Sequence, residues 1–454
     1  MNRKLNRILT VLIVLFCVAL LAGAGILLAQ VLPEKAPGEV TSLETASVFE
    51  SETAAVAPDR EEAYEGDLPP AAEVQPEQNA PQDEPSSSDT QDPAEETPSD
   101  APISDEADKL ARQTLSSMTQ DEKIWQLFYV TPELLTGVET ATRAGDSTKE
   151  ALEKMPVGGI IYFAKNFEDR AQTQEMLRNT KSYTKIPLFL GTDEEGGTVS
   201  RVGSNPAMGG IEVPSMQSLG EQADPAAVYQ AGQDISESLR AVGLNMDFAP
   251  VADVSSGSAS VIGSRSFGSD AQLCASMVSV MTGSLTAGEI IPCLKHFPGY
   301  GSAITDDHYG TSILTKTLDD LEACDFLPFA SGIEAGAPFV MVSHLSVPEV
   351  VGDETPSDLS SKIVTELLRN KLGFTGVIIT DSHQMASITD HYSSGEAAVQ
   401  ALEAGVDMIL MPQDLQAAFD GVKAALSGGT LTQDRIDESV LRILQVKAEY
   451  NILQ

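Results

Sequence analysis

The sequence predicts an α/β fold in which eight short parallel strands alternate with helices, closed as a (β/α)8 TIM-type barrel or laid open as a doubly wound sheet. Three observations carry this reading. Short apolar runs recur at 127–130, 159–163, 187–192, 244–249, 291–295, 339–343, 377–380 and 408–411. Stretches with helical spacing separate them, as a strand–helix alternation requires. Finally, Asp193, Lys295-His296, His344 and Asp381 each stand at the end of one of these runs. In a barrel, that is where an active site is built. The alternation by itself suits the open sheet as well as the barrel.

The N-terminal elements come first in the chain. With 454 residues and 42% hydrophobic content, the protein can bury a large core and still carry non-globular sequence. Arg3, Lys4 and Arg7 precede a largely apolar run over 8–28. At 1.5 Å per residue this run spans about 31 Å, enough to cross a bilayer core. The flanking positive charge places the N-terminus in the cytoplasm and the remainder outside. A cleavable signal peptide is the rival, with sites after Ala22-Gly23-Ala24 and Leu27-Leu28-Ala29. The run is longer than a usual signal core, so 1–31 is assigned as an uncleaved signal-anchor or transmembrane segment. The expected location is the cell membrane, single-pass, with the rest of the chain extracellular; cleavage would make it secreted. Phe16 is bulky where a lipobox needs a small residue, so Cys17 is not expected to be lipidated.

Residues 32–104 are mostly Pro, Glu, Ala, Ser, Asp and Gln, with Phe49 and Tyr64 their only aromatic side chains. Such a segment cannot offset its ordering entropy by burial and is expected to be a disordered acidic linker. It would reach about 50 Å as a coil or about 200 Å if stretched, a spacer suited to work in a cell wall. Over the whole chain, 28 basic and 67 acidic residues give a formal charge of −39. Phosphate recognition needs clustered Lys and Arg, so no nucleic-acid partner is expected. Of four Cys, the three beyond the apolar run (Cys274, Cys293 and Cys324) lack metal-ligand spacing. They read as small buried hydrophobes, compatible with one disulfide without demanding it.

The folded domain is placed at 105–454, opening with Leu110, Thr114, Leu115 and Met118 at helical spacing. Its most informative stretch is Lys295-His296-Phe297-Pro298-Gly299-Tyr300-Gly301, followed by Asp306-Asp307-His308. The chain has only five His, and two fall in this glycine-rich segment. An Asp-x-His step sets a carboxylate beside an imidazole, which orients it and tunes it for general acid/base work. Asp381 supplies a lone carboxylate at the end of another run. A dyad plus a lone carboxylate can serve a retaining glycosidase. Blander readings stand beside these: Asp381 as a helix N-cap, and His308 as an incidental surface residue.

At these residues the chain resembles glycoside hydrolase family three, most closely its β-N-acetylhexosaminidase branch. The match is Lys295-His296-Phe297-Pro298-Gly299 with Asp306-x-His308, then Gly376-Val377-Ile378-Ile379-Thr380-Asp381. Asp193-Glu194-Glu195-Gly196-Gly197-Thr198-Val199-Ser200-Arg201 and Gly263-Ser264-Arg265-Ser266-Phe267-Gly268 agree as well. So does Asn245-Met246-Asp247-Phe248-Ala249-Pro250-Val251-Ala252-Asp253. The resemblance covers roughly 105–450 and favours the barrel over the open sheet. It implies Asp381 as nucleophile, His308 as acid/base with Asp306 as its partner, and Asp193, Arg201, Arg265, Lys295 and His296 as sugar binders. A buried ion-pair network at the barrel mouth is the bland alternative for the last five, and Mg²⁺ or Ca²⁺ binding by Asp193-Glu194-Glu195 is a weaker one. No metal or other cofactor is expected.

The implied activity is removal of terminal β-linked N-acetylglucosamine, with peptidoglycan fragments or another cell-wall glycan as the carbohydrate partner. A β-glucosidase, a phosphorylase of the same family and a non-catalytic wall-binding module remain alternatives. Two departures from the family's pattern stand out. Ser382-His383-Gln384 follows Asp381 where Asp and an apolar residue are more usual, and Tyr300 stands where His is usual. Gly299, Gly301 and Gly310 are expected hinges for a mobile loop carrying His308.

Overall fold

The computed structural model describes residues 103–255, 257, 260–303, 310 and 312–454. The expected membrane segment, the linker up to residue 102, Cys17, and the dyad Asp306 and His308 lie outside the described residues. Among the described residues, no helix is long and apolar enough to cross a membrane.

Each of the eight apolar runs contains a strand: β1 (Phe128–Val130), β2 (Gly159–Ile161), β3 (Phe189–Thr192), β4 (Met246–Asp247), β5 (Ile291–Phe297), β6 (Phe339–Val342), β7 (Val377–Thr380) and β8 (Ile409–Leu410). They pair in parallel in the order β7-β6-β5-β4-β3-β2-β1-β8. A doubly wound sheet reverses strand order at a switch point, and this sheet does not. The remaining seam is bridged in parallel at Ile379↔Met408, with Met408 N–H donating to Ile378 O at 3.0 Å. The result is a nearly closed eight-stranded parallel barrel with alternating helices, the arrangement of a (β/α)8 fold.

Strand residues are buried throughout the ring, as expected where helices cover one face of a parallel sheet and side chains fill the other. Tyr129 shows how the interior is filled. Its ring lies over Gly159, where a Cβ would come within 2.4 Å of it, and meets Phe248 edge-on at 5.2 Å. The outer helices are fixed at their starts by short polar side chains. Thr119, Asp169, Asp224, Asp270, Ser393, Asp414 and Thr432 each accept a backbone N–H of the following turn. A cap of this kind contributes about 0.5–2 kcal/mol.

Two strands differ from the sequence reading in a way that matters for the site. β4 is only two residues long, whereas β5 continues to Phe297. His296 and Phe297 therefore join Lys295 in the strand itself and do not lie in the loop after it. The extension is held by Ala252 N–H donating to Lys295 O at 2.7 Å and Ser343 N–H to Phe297 O at 2.9 Å. Cys274 and Cys293 are buried and Cys324 is half-buried, all three as free thiols.

The end of the barrel away from the strand C-termini is closed by charge. Asp407, fully buried before β8, accepts from Ile378 N–H at 2.9 Å and from Arg442 at 3.0 Å, and pairs with Arg369. Burial opposes its ionisation, but three arginines outweigh that and hold its carboxyl below the usual range. This clamp ties β7 to β8 at the seam. Lys447, on the final helix (Gln433–Glu449), is also fully buried. It donates to Gln126 Oε1 at 2.7 Å and lies 4.9 Å from the centre of the Phe189 ring.

With no carboxylate among these contacts, burial pulls the Lys447 ammonium down from 10.5 to about 7. Between those values the unfolded chain holds a proton that the folded chain releases, so this residue makes stability rise with pH across that window. Chemical denaturation of the native chain and of Lys447→Met should therefore show a stability difference that grows in favour of the native chain from pH 7 to pH 10. A difference independent of pH would contradict this account of Lys447.

Candidate active site

The C-terminal rim of the strands gathers most of the residues singled out from the sequence. Asp193 follows β3, Lys295 and His296 lie in β5, and Asp381 follows β7 directly. Arg265 closes a short helical turn, Gly263–Arg265. Lys295 Nζ lies 2.6 Å from Asp193 Oδ1 and 2.6 Å from Glu195 Oε1. Arg265 grips Glu195 in a fork, Nε to Oε2 at 2.7 Å and Nη2 to Oε1 at 2.8 Å. Two parallel N–H···O bonds of this kind fix geometry as well as charge.

The electrostatics of this network follow from its burial. Burial alone would raise the Glu195 carboxyl, but Arg265 and Lys295 outweigh it and hold the group far below the carboxylate range. Burial would likewise lower Lys295, and Asp193 with Glu195 push it above its ordinary value instead. Glu195, Lys295 and Arg265 are thus held in their charged forms, and Asp193, at 17% side-chain exposure, opens toward the rim.

His296 is oriented from behind. Its Nδ1 lies 2.7 Å from Asp253 Oδ2, and Asp253 also accepts from Tyr300 N–H at 2.6 Å. An ionised carboxylate only accepts, so the ring proton belongs on Nδ1. Nε2 is left facing Arg265 Nη2 at 3.5 Å. Glu194 plays a different part, fastening the loop that carries Arg201. It accepts from the N–H groups of Arg201 and Val202, each at 2.7 Å, and from Ser200 Oγ. Arg201 Nε is buried and finds no acceptor among the described residues. Asp193 and Glu195 thus meet on Lys295 Nζ, whereas the Glu194 carboxylate turns to the amides of its own loop.

Asp381 is half-buried at the end of β7, with its N–H donating to Val342 O at 2.8 Å. Ser382 N–H donates to Asp381 Oδ1 at 2.7 Å, so the carboxylate is held by the next amide. That contact is to the amide of the very next residue, and Asp381 caps no helix through it. Beneath the rim, burial raises the Cys293 thiol; Lys295 opposes this, while Asp193, Asp247 and Asp381 add to it.

The described residues on either side of the dyad are held by backbone bonds. Ala303 N–H donates to Tyr300 O at 3.0 Å, and Leu314 N–H to Ser346 O at 2.8 Å. Gly299 and Gly301 are required by close packing. A Cβ at Gly299 would fall 2.6 Å from the Asp325 side chain, and one at Gly301 would fall 2.1 Å from Val254 O. Gly310 has open space around it and φ of +145°. Tyr300 is buried, with its hydroxyl 3.2 Å from Ser312 Oγ.

Two residues at this rim escaped the sequence reading as site residues, Glu195 and Asp253. Both lay inside motif blocks, and Glu195 stood two positions from Asp193. Nothing local signalled that Glu195 would meet Arg265 and Lys295 from distant elements. A separate cavity of about 650 Å³ opens at the other end of the barrel, near Asn245, Pro338 and Gly376. These residues precede β4, β6 and β7, so it lies away from the catalytic rim.

The Glycosyl hydrolase family 3 N terminal domain matches residues 119–446. The chain belongs to glycosyl hydrolase family 3, a family of glycoside hydrolases. A β-hexosaminidase of Nitrosomonas eutropha is 34% identical over 268 residues, covering 58% of this chain and 75% of that one. The β-hexosaminidase LpqI of Mycobacterium tuberculosis is 36% identical over 271 residues, covering 58% of this chain and 68% of that one. Among solved structures, a family 3 β-N-acetylglucosaminidase from a Paenibacillus species superposes with a TM-score of 0.70 at 33% identity. That likeness covers 74% of this chain and 63% of the other.

Glu195→Gln tests the network directly. It removes a charge that two buried cations face, and breaking such a pair costs about 3–5 kcal/mol. Urea denaturation should show a loss of that order, together with weakened binding of N-acetylglucosamine by calorimetry. Unchanged stability would mean that Lys295 and Arg265 do not depend on Glu195.

Proposed function

We propose that the protein is a retaining exo-β-N-acetylhexosaminidase that removes terminal β-linked N-acetylglucosamine from peptidoglycan-derived or related glycans. The observation that carries this reading is the placement of Asp193, Lys295 and Asp381 at the C-terminal ends of β3, β5 and β7 of one barrel, with Lys295 paired to Asp193, in a chain whose relatives are named β-hexosaminidases. Ionised, hydrogen-bonded side chains at such a rim suit adjacent sugar hydroxyls, and they penalise a sugar that leaves them unpaired. Asp193, Arg201, Arg265, Lys295 and His296 take this role.

Asp381 attacks the anomeric carbon while His308, aligned by Asp306, protonates the departing glycosidic oxygen. The resulting glycosyl-enzyme ester is then hydrolysed by a water that His308 deprotonates, which restores both groups. A neutral imidazole in this place avoids like-charge repulsion with Asp381. Retention of all three residues argues against a purely sugar-binding module. We also assign the 1–31 segment as a membrane anchor and 32–104 as a spacer that lets an extracellular barrel, 105–454, reach cell-wall glycan.

Aryl β-N-acetylglucosaminide should be hydrolysed without added phosphate and much faster than the aryl β-glucoside, and Asp381→Asn should abolish turnover while leaving the fold intact. Faster turnover with phosphate, yielding a sugar 1-phosphate, would make the enzyme a phosphorylase. His308→Ala should cost about 10²–10⁴-fold on a disaccharide, the range of general acid–base catalysis. The loss in the glycosylation step should be far smaller with a nitrophenyl leaving group, which departs without protonation. Equal losses on both substrates would remove His308 from the acid role.

A further inference from the structure

We infer that His344, Asp358 and His383 form a positioning clasp that fixes the Ser382 carbonyl and thereby aims the neighbouring Asp381 carboxylate. The inference rests on the reading of Asp381 as nucleophile. The three residues come from separate parts of the rim: His344 follows β6, Asp358 lies in the short helical turn Ser357–Leu359, and His383 follows β7. All are buried, at 0%, 0% and 2% exposure. One carboxylate joins the two rings, with Asp358 Oδ1 3.0 Å from His344 Nδ1 and Oδ2 2.8 Å from His383 Nε2. The far side of His344 reaches the catalytic strand, with Nε2 at 2.9 Å from Ser382 O.

The hydrogen-bonding capacities assign the roles. A carbonyl oxygen only accepts, so His344 Nε2 carries a hydrogen and donates it to Ser382. Burial would raise the Asp358 carboxyl, but the two imidazoles outweigh burial and bring it down to about 2. Burial lowers His383, keeping it neutral, and an acceptor-only carboxylate at Nε2 selects its Nε2–H tautomer. Among the described residues, His383 Nδ1 has no hydrogen-bond partner. His383 occupies a place where the family more often carries an apolar residue, and Asp358 is the group that makes a buried imidazole tolerable there. The pair therefore acts as one unit.

The consequence for Asp381 follows from how the 381–383 backbone is held. Asp381 N–H is fixed to β6 through Val342 O at 2.8 Å, and His383 N–H to Leu410 O of β8 at 2.9 Å. Between them, Ser382 N–H holds Asp381 Oδ1 at 2.7 Å. The Ser382 carbonyl is the remaining polar group of this step, and His344 holds it. The carbonyl shares a peptide plane with His383 N–H, so the bonds to His344 and Leu410 together fix that plane and limit rotation about Ser382, whose own N–H orients the nucleophile. A displacement of about 1 Å at a reacting atom can cost about 10²-fold in rate.

The test uses the full chain, Asp358→Asn, and the double variant Asp358→Leu/His383→Leu, which removes the carboxylate together with the second ring and leaves His344 without the partner of its Nδ1. Three quantities are measured: kcat/KM on the aryl β-N-acetylglucosaminide, Kd for N-acetylglucosamine, and the divalent metal content of the native protein. Both variants should fold by circular dichroism and bind the sugar within about twofold of the native Kd, while kcat/KM falls about 10–100-fold. A folded double variant with native kcat/KM would overturn the clasp, as would Kd and kcat/KM failing in parallel. The ligand atoms of the three side chains lie within 4.8 Å of one another, a spacing that also suits a cation. A stoichiometric metal in the native protein, lost in the double variant, would overturn the clasp in favour of a metal centre. Native activity that Asp381→Asn abolishes keeps the reading of the site separate from the fate of the clasp. An inactive native protein would overturn both.

Discussion

Lys295 and Glu195 share an ion pair of 2.6 Å that is almost wholly buried, and the mouth of the barrel depends on it. Neither charge is tolerable there alone, since removing water from an ion costs several kcal/mol even after relaxation. Each therefore recruits the next: Glu195 takes the fork of Arg265, and Lys295 takes Asp193. The chain runs from fully buried to partly exposed groups, and its last members face the rim. The arrangement sets the direction of hydrogen bonds offered to a ligand before any ligand arrives, which is the condition for electrostatic preorganisation.

The barrel separates this chemistry from the means of its own closure. At one end, Asp407 and its arginines lock the β7–β8 seam, and Lys447 fills the floor beside Phe189. At the other, carboxylates, cations and imidazoles line the strand ends. β7 joins the two: its start is clamped through Ile378 N–H and its end presents Asp381. Asp381, the proposed nucleophile, stands on a strand clamped at its base and is held by the Ser382 amide, so it has little freedom to drift. That rigidity is what catalysis by positioning requires.

Much of the fold was legible in the sequence because a strand buried on both faces has to be a short apolar run, and all eight runs proved to contain one. The closure was not, because the bridge at Ile379↔Met408 depends on accumulated sheet curvature and not on any local pattern. Strand-end carboxylates such as Asp193 and Asp381 were readable from position alone. Glu195 and Asp253 were in plain view within motif blocks, but their partners lie about 70 and 43 residues away. Asp358 carried no signal at all, since an acidic residue in a polar segment reads as solvated until His344 and His383 are seen to enclose it. The unusual Ser382-His383-Gln384 sequence marked the place without naming the partner.

The central claim is that Asp381 attacks the sugar from a rim preorganised by the Lys295–Glu195–Arg265 network. The most direct measurement is to trap the glycosyl-enzyme with an activated fluorinated donor, digest the protein and locate the adduct by mass spectrometry. The account predicts a single sugar adduct on the peptide containing Thr380-Asp381-Ser382, with the label on Asp381. Recovery of the label on Asp193, Glu195 or any other carboxylate would contradict it.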